Sequence, residues 1–141
     1  MPYQNFRVKS PVKTFRDLEV YQQTTKLSAD IFTLKIPAGR KNNKNKDVLD
    51  EIGKLKEMSK QIPRLIVEAY GDKFTSLELS SKKMERAAYF VNMVVAKLDF
   101  LNALVDNERF RNDASDILKR YQRVKMRIIN LKRAWNRAFG K

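Results

Sequence analysis

The C-terminal stretch of the chain, residues 114–141, combines two patterns that one fold must satisfy together. Its small and apolar residues recur at alternating steps of three and four, which is the spacing of a helix that buries one face in a bundle. These residues are Ala114, Ile117, Tyr121, Val124, Ile128, Leu131, Trp135 and Ala138. After Asp116 no acidic residue remains, whereas cations recur at Lys119, Arg120, Arg123, Lys125, Arg127, Lys132, Arg133, Arg137 and Lys141. The stretch therefore predicts a helix with one side in a core and the other side facing an anion.

The charge of the whole chain points to the same kind of partner. A length of 141 residues predicts one domain, and a hydrophobic fraction of 43% is ordinary for a globular protein. The formal net charge of +14 exceeds what solubility requires and destabilises a compact fold through self-repulsion. We therefore expect a polyanionic partner, with nucleic acid as the first candidate and an anionic membrane surface or an acidic protein as the alternatives.

The residue types that the chain lacks exclude several chemistries. The sequence has no cysteine and no histidine, which excludes disulfides, thiolate or histidine metal sites and nucleophiles activated by histidine. The inward positions of the predicted helices carry no paired carboxylates, so we expect no catalytic residue, metal or cofactor. No apolar run approaches the roughly 18 to 20 residues of a membrane span, and the first residues lack the apolar segment of a signal peptide. We expect a non-enzymatic, cytoplasmic protein without a membrane partner.

Apolar periodicity and helix-stop residues predict an all-α fold, an up-down-up-down antiparallel four-helix bundle with a basic N-terminal arm over residues 1–13. Thr14 with Asp17 resembles a capping box at the start of the first helix, and Asp47 is expected to cap the second, after a solvated loop over residues 37–46. Pro63 predicts a kink rather than a break, because the apolar pattern continues on both sides of it. The bundle occupies residues 14–141, with helices over about residues 15–35, 47–70, 76–105 and 114–138.

The third predicted helix is apolar on more than one face. Its core positions are predicted at Met84, Ala87, Val91, Val94, Leu98, Leu101 and Val105. One face of a helix in a four-helix domain cannot bury all of the remaining apolar surface, so we expect self-association through this helix, with coverage by neighbouring helices as the alternative. The residues predicted for this oligomer interface are Tyr89, Phe90, Met93, Ala96 and Phe100.

Helical projection places the cations of the last helix in a stripe dominated by arginine. Arg120 and Arg127 fall on one flank, and the stripe continues around the exposed side, while Lys125 and Lys132 fall on the opposite flank. Acidic residues do not alternate with these bases along the helix, so a merely solvated face is the weaker interpretation. The residues predicted to bind nucleic acid are Lys119, Arg120, Arg123, Arg127, Arg133 and Arg137 in the helix, with Arg40, Lys41, Lys44 and Lys46 in the loop.

Aromatic residues are a second possible contact with single-stranded bases. Trp135 and Tyr121 occupy core positions of the last helix and are predicted to be buried. Phe110 and Phe139 lie in a turn or near a chain end, where a ring is better placed to stack on a base.

Several short motifs together resemble a known group of proteins. They are FRDLEVYQ, KLSADIF and IP in and after the first helix, QIPRLIVEAYG at the end of the second, and LKRAWNR in the last. The combination is similar to the four-helix-bundle proteins of ribosomal RNA intervening sequences and to the accessory variability determinant (Avd) proteins of diversity-generating retroelements. The ribosomal-insert proteins carry a motif closer to SIPxNIAEG where this chain has QIPRLIVEA, and this departure, with the basic charge and Trp135, favours the Avd group.

The resemblance implies a homopentameric, barrel-like assembly that binds a reverse transcriptase and nucleic acid and supports the copying of template-repeat RNA into mutagenised cDNA. The residues themselves predict only self-association and a polyanionic partner. The alternative function is that of a protein-interaction scaffold of the ribosomal intervening-sequence type, whose cationic surface meets an acidic protein.

Overall fold

A computed structural model describes residues 12–37 and 43–140, with the side chains of residues 43–45 left out. These residues form four α-helices, and the described ranges contain no strand, so the all-α prediction is confirmed. A short 3-10 helix, Phe15–Asp17, precedes them. The α-helices are α1 (Glu19–Phe32), α2 (Asn43–Asp72), α3 (Leu77–Leu104) and α4 (Glu108–Phe139).

The predicted capping box forms, but it opens the 3-10 helix rather than α1. The Asp17 carboxylate accepts the backbone N–H of Lys13 at 2.8 Å and of Thr14 at 3.1 Å, and these hydrogen bonds lower the pKa of Asp17 below its usual value. Leu18 is then extended, with ψ at 123°, and buried, so α1 begins only at Glu19. The predicted start at residue 15 was therefore wrong by one short turn, because a cap can serve a 3-10 turn as well as an α-helix.

Two other helices begin earlier than their predicted starts. α2 begins at Asn43, so the predicted loop over residues 37–46 is too long and Asp47 is not its cap. α4 begins at Glu108, where the Asn107 side chain accepts the backbone N–H of Phe110 at 2.9 Å. Phe110 is fully buried within α4, so its prediction as a ring able to stack on a base was wrong, and it extends the apolar spacing of α4 one step towards its N-terminus. Asn107 is a strong N-cap residue, so the signal was present in the sequence and was missed.

One hydrophobic cluster draws on all four helices. The predicted core positions of α3 from Met84 to Val105 are all buried, and so are Tyr121 and Trp135 in α4. The Tyr121 hydroxyl lies in this core without a hydrogen-bond partner among the described residues, and burial raises the pKa of Tyr121 above its usual value. The four helices therefore share a single core in which the apolar spacing decided the buried side.

Side-chain contacts fix how neighbouring helices sit against each other. α2 meets α3 through Glu51 and Lys97, 2.8 Å apart, and through Asp72 and Lys83, 2.6 Å apart. The last helix meets α3 where the Ser81 hydroxyl donates to Asn136 Oδ1 at 2.8 Å.

A buried pair of serines joins α1 to α2. The Ser59 hydroxyl donates its one proton to the carbonyl of Lys56. In the bond between the two serines, 2.8 Å long, the Ser28 hydroxyl is therefore the donor and Ser59 Oγ the acceptor. α2 continues through Pro63 without a break, as the sequence predicts, although Pro63 has no backbone N–H to donate within the helix.

The third helix also meets the length and composition criteria for a membrane span, contrary to the sequence-based expectation that no segment comes near them. In its most apolar window, 33% of the residues are buried inside the fold. Core helices of soluble proteins pass the same test, so α3 is weak evidence for a membrane span.

Candidate nucleic-acid interface

A groove of about 370 Å³ between α1 and α4 brings four cations together. Arg120, Arg123 and Arg127 line it from α4, and Lys26 lines it from α1. The remaining lining residues are Gln22, Gln23, Leu27 and Val124. No carboxylate lines this central groove, so its wall is a positive surface on a partly apolar floor.

The positive charge of the α1/α4 seam is concentrated in this central groove. In the neighbouring cavity towards the start of α4, charges of both signs balance, with Lys35, Arg109 and Arg120 against Asp30, Asp113 and Asp116. In the neighbouring cavity towards the end of α4, Arg127 and Arg137 balance Asp17 and Glu19. An anion that approaches the seam is therefore attracted most strongly to the central groove.

Arg120 sits at the edge of the groove with two carboxylate partners. Its Nη2 donates to Asp30 Oδ2 at 2.7 Å, and its Nε donates to Asp116 Oδ2 at 3.1 Å. Lys26 donates to the other Asp30 oxygen at 2.7 Å. Burial raises the pKa of Asp30, but the hydrogen bonds and charges of Lys26 and Arg120 outweigh it, so the pKa lies below its usual value. Asp30 therefore stays ionised and orients both cations.

Arg127 also has an acidic neighbour, because its Nη1 lies 3.8 Å from Glu19 Oε1. The same Glu19 oxygen accepts a hydrogen bond from Gln23 Nε2 at 3.2 Å. The prediction of an arginine stripe without acidic partners was wrong for Arg120 and Arg127. Asp116 precedes Arg120 by four residues on α4 itself, whereas Asp30 and Glu19 come from α1, which a pattern along one helix cannot reveal.

Arg123 is the cation of the groove that has no partner among the described residues and can therefore bind an added anion. It is exposed and forms no ion pair or hydrogen bond within the described ranges. Lys119, Arg133 and Arg137 are likewise exposed on the outer side of α4 without a carboxylate partner in the part of the chain that the structure describes. On the opposite flank, Lys132 donates to Glu85 of α3 at 2.8 Å. The outer side of α4 thus carries the unpaired cations. On its two flanks, some cations form ion pairs with acidic residues of α1 and α3.

Of the four cations predicted in the basic loop, only Lys46 has a described side chain. Arg40 and Lys41 lie outside the described residues, as does the side chain of Lys44. Lys46 is exposed in the first turns of α2 and does not line the groove. Conversely, the sequence analysis missed Gln22, Gln23 and Lys26. In the sequence these three residues are recognisable only as polar positions next to buried positions of α1. That pattern does not show which helix they face.

A second surface lies on the side of α3 that faces away from the core. Tyr89 is 59% exposed and Phe100 is 53% exposed, with the exposed Ala96 between them. Met93 and Phe90 are half-buried, and Phe90 packs against the core cluster. We call Tyr89, Met93, Ala96 and Phe100 the outer face of α3; it carries no charged residue.

The described residues hold no group of three or more acidic or other metal-ligating side chains that could bind a metal ion. Comparison of the chain with protein-family models, curated proteins and solved structures finds no match. Functional conclusions therefore depend on the groove and surfaces of this fold.

Proposed function

We propose that the protein is a non-enzymatic accessory protein that holds the phosphate backbone of a nucleic acid in the central groove between α1 and α4. The observation that carries this proposal is a concentration of four cations with no carboxylate in the groove wall, one of which, Arg123, lacks a partner in the described ranges. Arginine is suited to the role because its guanidinium group can donate two parallel hydrogen bonds to one phosphate.

The dimensions of the cationic surface favour a polymer over a small phosphate ligand. Arg120 and Arg127 are separated by about 10 Å along the helix axis at 1.5 Å per residue. That length matches about three phosphates of one duplex strand, which are 3.4 Å apart along the axis. Lys119, Arg133 and Arg137 extend the unpaired charge beyond the groove, where a small ligand would leave it without a partner. A strand that follows α4 would neutralise the groove and this outer charge together.

The arrangement of the bundle that we propose is up-down-up-down, with a basic arm over residues 1–13, of which residues 1–11 lie outside the described ranges. The contacts between Asp72 and Lys83 and between Glu51 and Lys97 support antiparallel α2 and α3. The resemblance to Avd proteins supports a reverse transcriptase as the protein partner, a retroelement as the setting, and a homopentamer as the assembly. The alternative is a scaffold of the ribosomal intervening-sequence type, whose cations bind an acidic protein.

Self-association through the outer face of α3 is the second part of the proposal. Exposed large apolar residues in a row on one helix mark an interaction surface, and the absence of charge from this face favours contact with an apolar partner rather than with nucleic acid. A second copy of the chain offers such a partner with the same surface. Light scattering tests this: a mass above that of one chain at micromolar concentration is expected, and a monomer would contradict it.

The test of the groove compares two charge reversals of equal size. Arg123→Glu places a carboxylate beside the bound phosphate, and Arg86→Glu makes the same change at an exposed arginine of α3 outside the groove. We expect Arg123→Glu to weaken binding of a 20-nucleotide RNA about tenfold at 0.1 M salt, which corresponds to about 1.4 kcal/mol. The slope of log K against log salt should fall by about 0.7 to 0.9 for the one lost phosphate contact.

Arg86→Glu is expected to change the affinity less than threefold, since it alters only the net charge. Equal losses from the two variants would refute the groove and leave only non-specific attraction to a basic protein. Binding of an acidic protein without any binding of purified RNA or DNA would favour the scaffold alternative.

A further inference from the structure

Four aromatic rings meet where α2 ends and α4 ends. The Tyr70 ring lies 5.7 Å from Phe74 and 6.4 Å from Trp135, and Phe74 lies 6.3 Å from Phe139, all with edge-to-face geometry. We call these four residues the aromatic cluster. Edge-to-face contacts stabilise such pairs beyond what their buried area contributes, so the four rings hold each other in place.

A lysine lies among these rings. The Lys73 ammonium is 3.4 Å from the ring centre of Phe74, 4.6 Å from Tyr70, 4.8 Å from Phe139 and 5.8 Å from Trp135. It forms no ion pair with a carboxylate in the described ranges, and burial lowers the pKa of Lys73. The nearby acids Glu68 and Asp72 pair with Lys83 instead. Lys73 is thus a cation held by ring faces and not neutralised by an acid.

The cluster is open to solvent on one side only. Trp135 is buried and Tyr70 is half-buried, whereas Phe74 is 65% exposed and Phe139 is 49% exposed. The ammonium covers one face of the Phe74 ring, and most of that residue still contacts solvent. The inner rings therefore anchor the outer rings, which remain available to a ligand.

The exposed parts of the two outer rings are by themselves smaller than a standard protein interface. A fully buried aromatic side chain hides about 150 to 250 Å². The exposed parts of Phe74 and Phe139 therefore amount to roughly 200 to 300 Å², against about 800 Å² per partner in a standard interface. Two exposed rings beside a cation match instead the size and chemistry of one or two nucleobases with their phosphate.

We propose that the aromatic cluster stacks on unpaired nucleobases, which makes single-stranded nucleic acid the preferred substrate of the protein. This inference rests on the proposed binding of a phosphate backbone in the central groove. Lys73 lies where it can contact the phosphate of a stacked nucleotide. In a duplex the bases are stacked on one another and cannot reach Phe74 or Phe139, so only a single strand gains from the cluster.

The cluster lies at the C-terminal end of α4, beyond the groove. Arg123 and Phe139 are about 24 Å apart along the axis at 1.5 Å per residue, and about 160° apart around it at 100° per residue. Arg133 and Arg137 lie between them, exposed and without a carboxylate partner in the described part of the chain. A single strand bound in the groove would therefore pass these cations and turn around the end of α4 before its bases reach the rings.

The experiment measures the affinity of a 20-nucleotide single strand and of a duplex of the same length at the same salt concentration. The test variant is Phe74→Ala with Phe139→Ala, and the matched control is Phe32→Ala. Phe32 is also an exposed phenylalanine, at 44%, and the ammonium of Lys56 lies 5.5 Å from its ring centre, but it lies outside the cluster. The double variant is expected to lose about 10- to 100-fold in affinity for the single strand and less than twofold for the duplex. The control is expected to lose less than twofold for both.

The fluorescence of Trp135 gives a second readout that needs no variant. Trp135 is the one tryptophan of the chain and belongs to the cluster, so a bound single strand should change its emission and a bound duplex should not. Unchanged emission with bound single strand, or an equal loss of affinity for both nucleic acids in the double variant, would overturn the inference. A change of oligomeric mass in the double variant, with strand preference intact, would assign the cluster to a protein contact and overturn it as well.

The outcomes for the cluster and for the groove are separable. If the wild type binds neither nucleic acid, the proposed function fails. If binding depends on Arg123 and not on Phe74 and Phe139, the groove stands and the stacking inference alone is refuted.

Discussion

α3 and α4 are similar helices with opposite outer sides. They have 28 and 32 residues, and each buries one apolar face in the same core. Away from the core, α3 presents the uncharged outer face from Tyr89 to Phe100, whereas α4 presents Lys119, Arg123 and Arg133 without carboxylate partners in the described ranges. The comparison teaches that apolar spacing fixes the buried side of a helix and leaves the opposite side free to differ. The proposed function uses the outer side of α3 for assembly and the groove and outer side of α4 for nucleic-acid binding.

The largest effect is expected from a substitution on the buried side of α3. Leu98 is fully buried, so Leu98→Ala removes packed methyl groups and leaves a cavity. We expect a loss of about 3 kcal/mol in the free energy of unfolding, measured by urea denaturation. Phe100, two residues away, is mostly exposed.

Phe100→Ala is the matched variant on the opposite side of the same helix. It should change the unfolding free energy of the subunit by less than about 1 kcal/mol and should lower the mass measured by light scattering. A large destabilisation of the isolated subunit by Phe100→Ala would break the distinction between the two sides of α3.

A smaller effect is expected where α4 meets α1. Asp30→Asn removes the carboxylate that binds both Lys26 and Arg120. At neutral pH we expect a loss of about 1 kcal/mol in stability and an increase of several fold in nucleic-acid affinity, because Lys26 loses its carboxylate partner and Arg120 keeps only Asp116. The released charge should appear as a steeper dependence of affinity on salt.

The effect of Asp30 on stability should depend on pH. The pKa of Asp30 is lowered in the folded state from 3.8, so its contribution is present above that value and is lost as the pH falls through the folded pKa. Wild type and Asp30→Asn should therefore converge in stability in strong acid. A difference that persists undiminished below the folded pKa would show that Asp30 acts through packing rather than charge.

The smallest effect is expected at Tyr121 in the core of α4. Tyr121→Phe removes a buried hydroxyl that has no hydrogen-bond partner among the described residues, so it should leave stability unchanged or raise it by up to about 1 kcal/mol. Ser80→Ala is the control, because the buried Ser80 hydroxyl donates to the carbonyl of Ala69 at 2.8 Å and its removal should cost about 1 kcal/mol. The melting temperatures of the two variants, each compared with wild type, distinguish an unpaired buried hydroxyl from a hydrogen-bonded one. A clear loss in Tyr121→Phe would indicate that an ordered water satisfies the hydroxyl.

The sequence predicted the helical fold and its core better than it predicted the site. The spacing of Val124, Ile128 and Trp135 follows from the period of a helix, and all three are buried as expected. The partner of Arg120 could not be found in the same way, because Asp30 is 90 residues away and on another helix. Lys73 directly follows the end of α2. It lies beside Trp135 and Phe139 of α4 only in the folded bundle, because these residues are far apart in the sequence. Local patterns determine which side of a helix is buried, and only tertiary contacts determine which charges remain unpaired.

The composition of the central groove has a consequence for release of the bound strand. The groove is lined by arginine, lysine and glutamine, and the chain has no histidine. Arginine and lysine side chains generally stay protonated, and ionised carboxylates stay charged, between about pH 5 and 9. Acidification or mild alkalinity therefore cannot discharge the groove. Under the proposed function, a bound strand would leave by competition from another polyanion or an acidic protein surface, and affinity should be governed by the ionic composition of the medium.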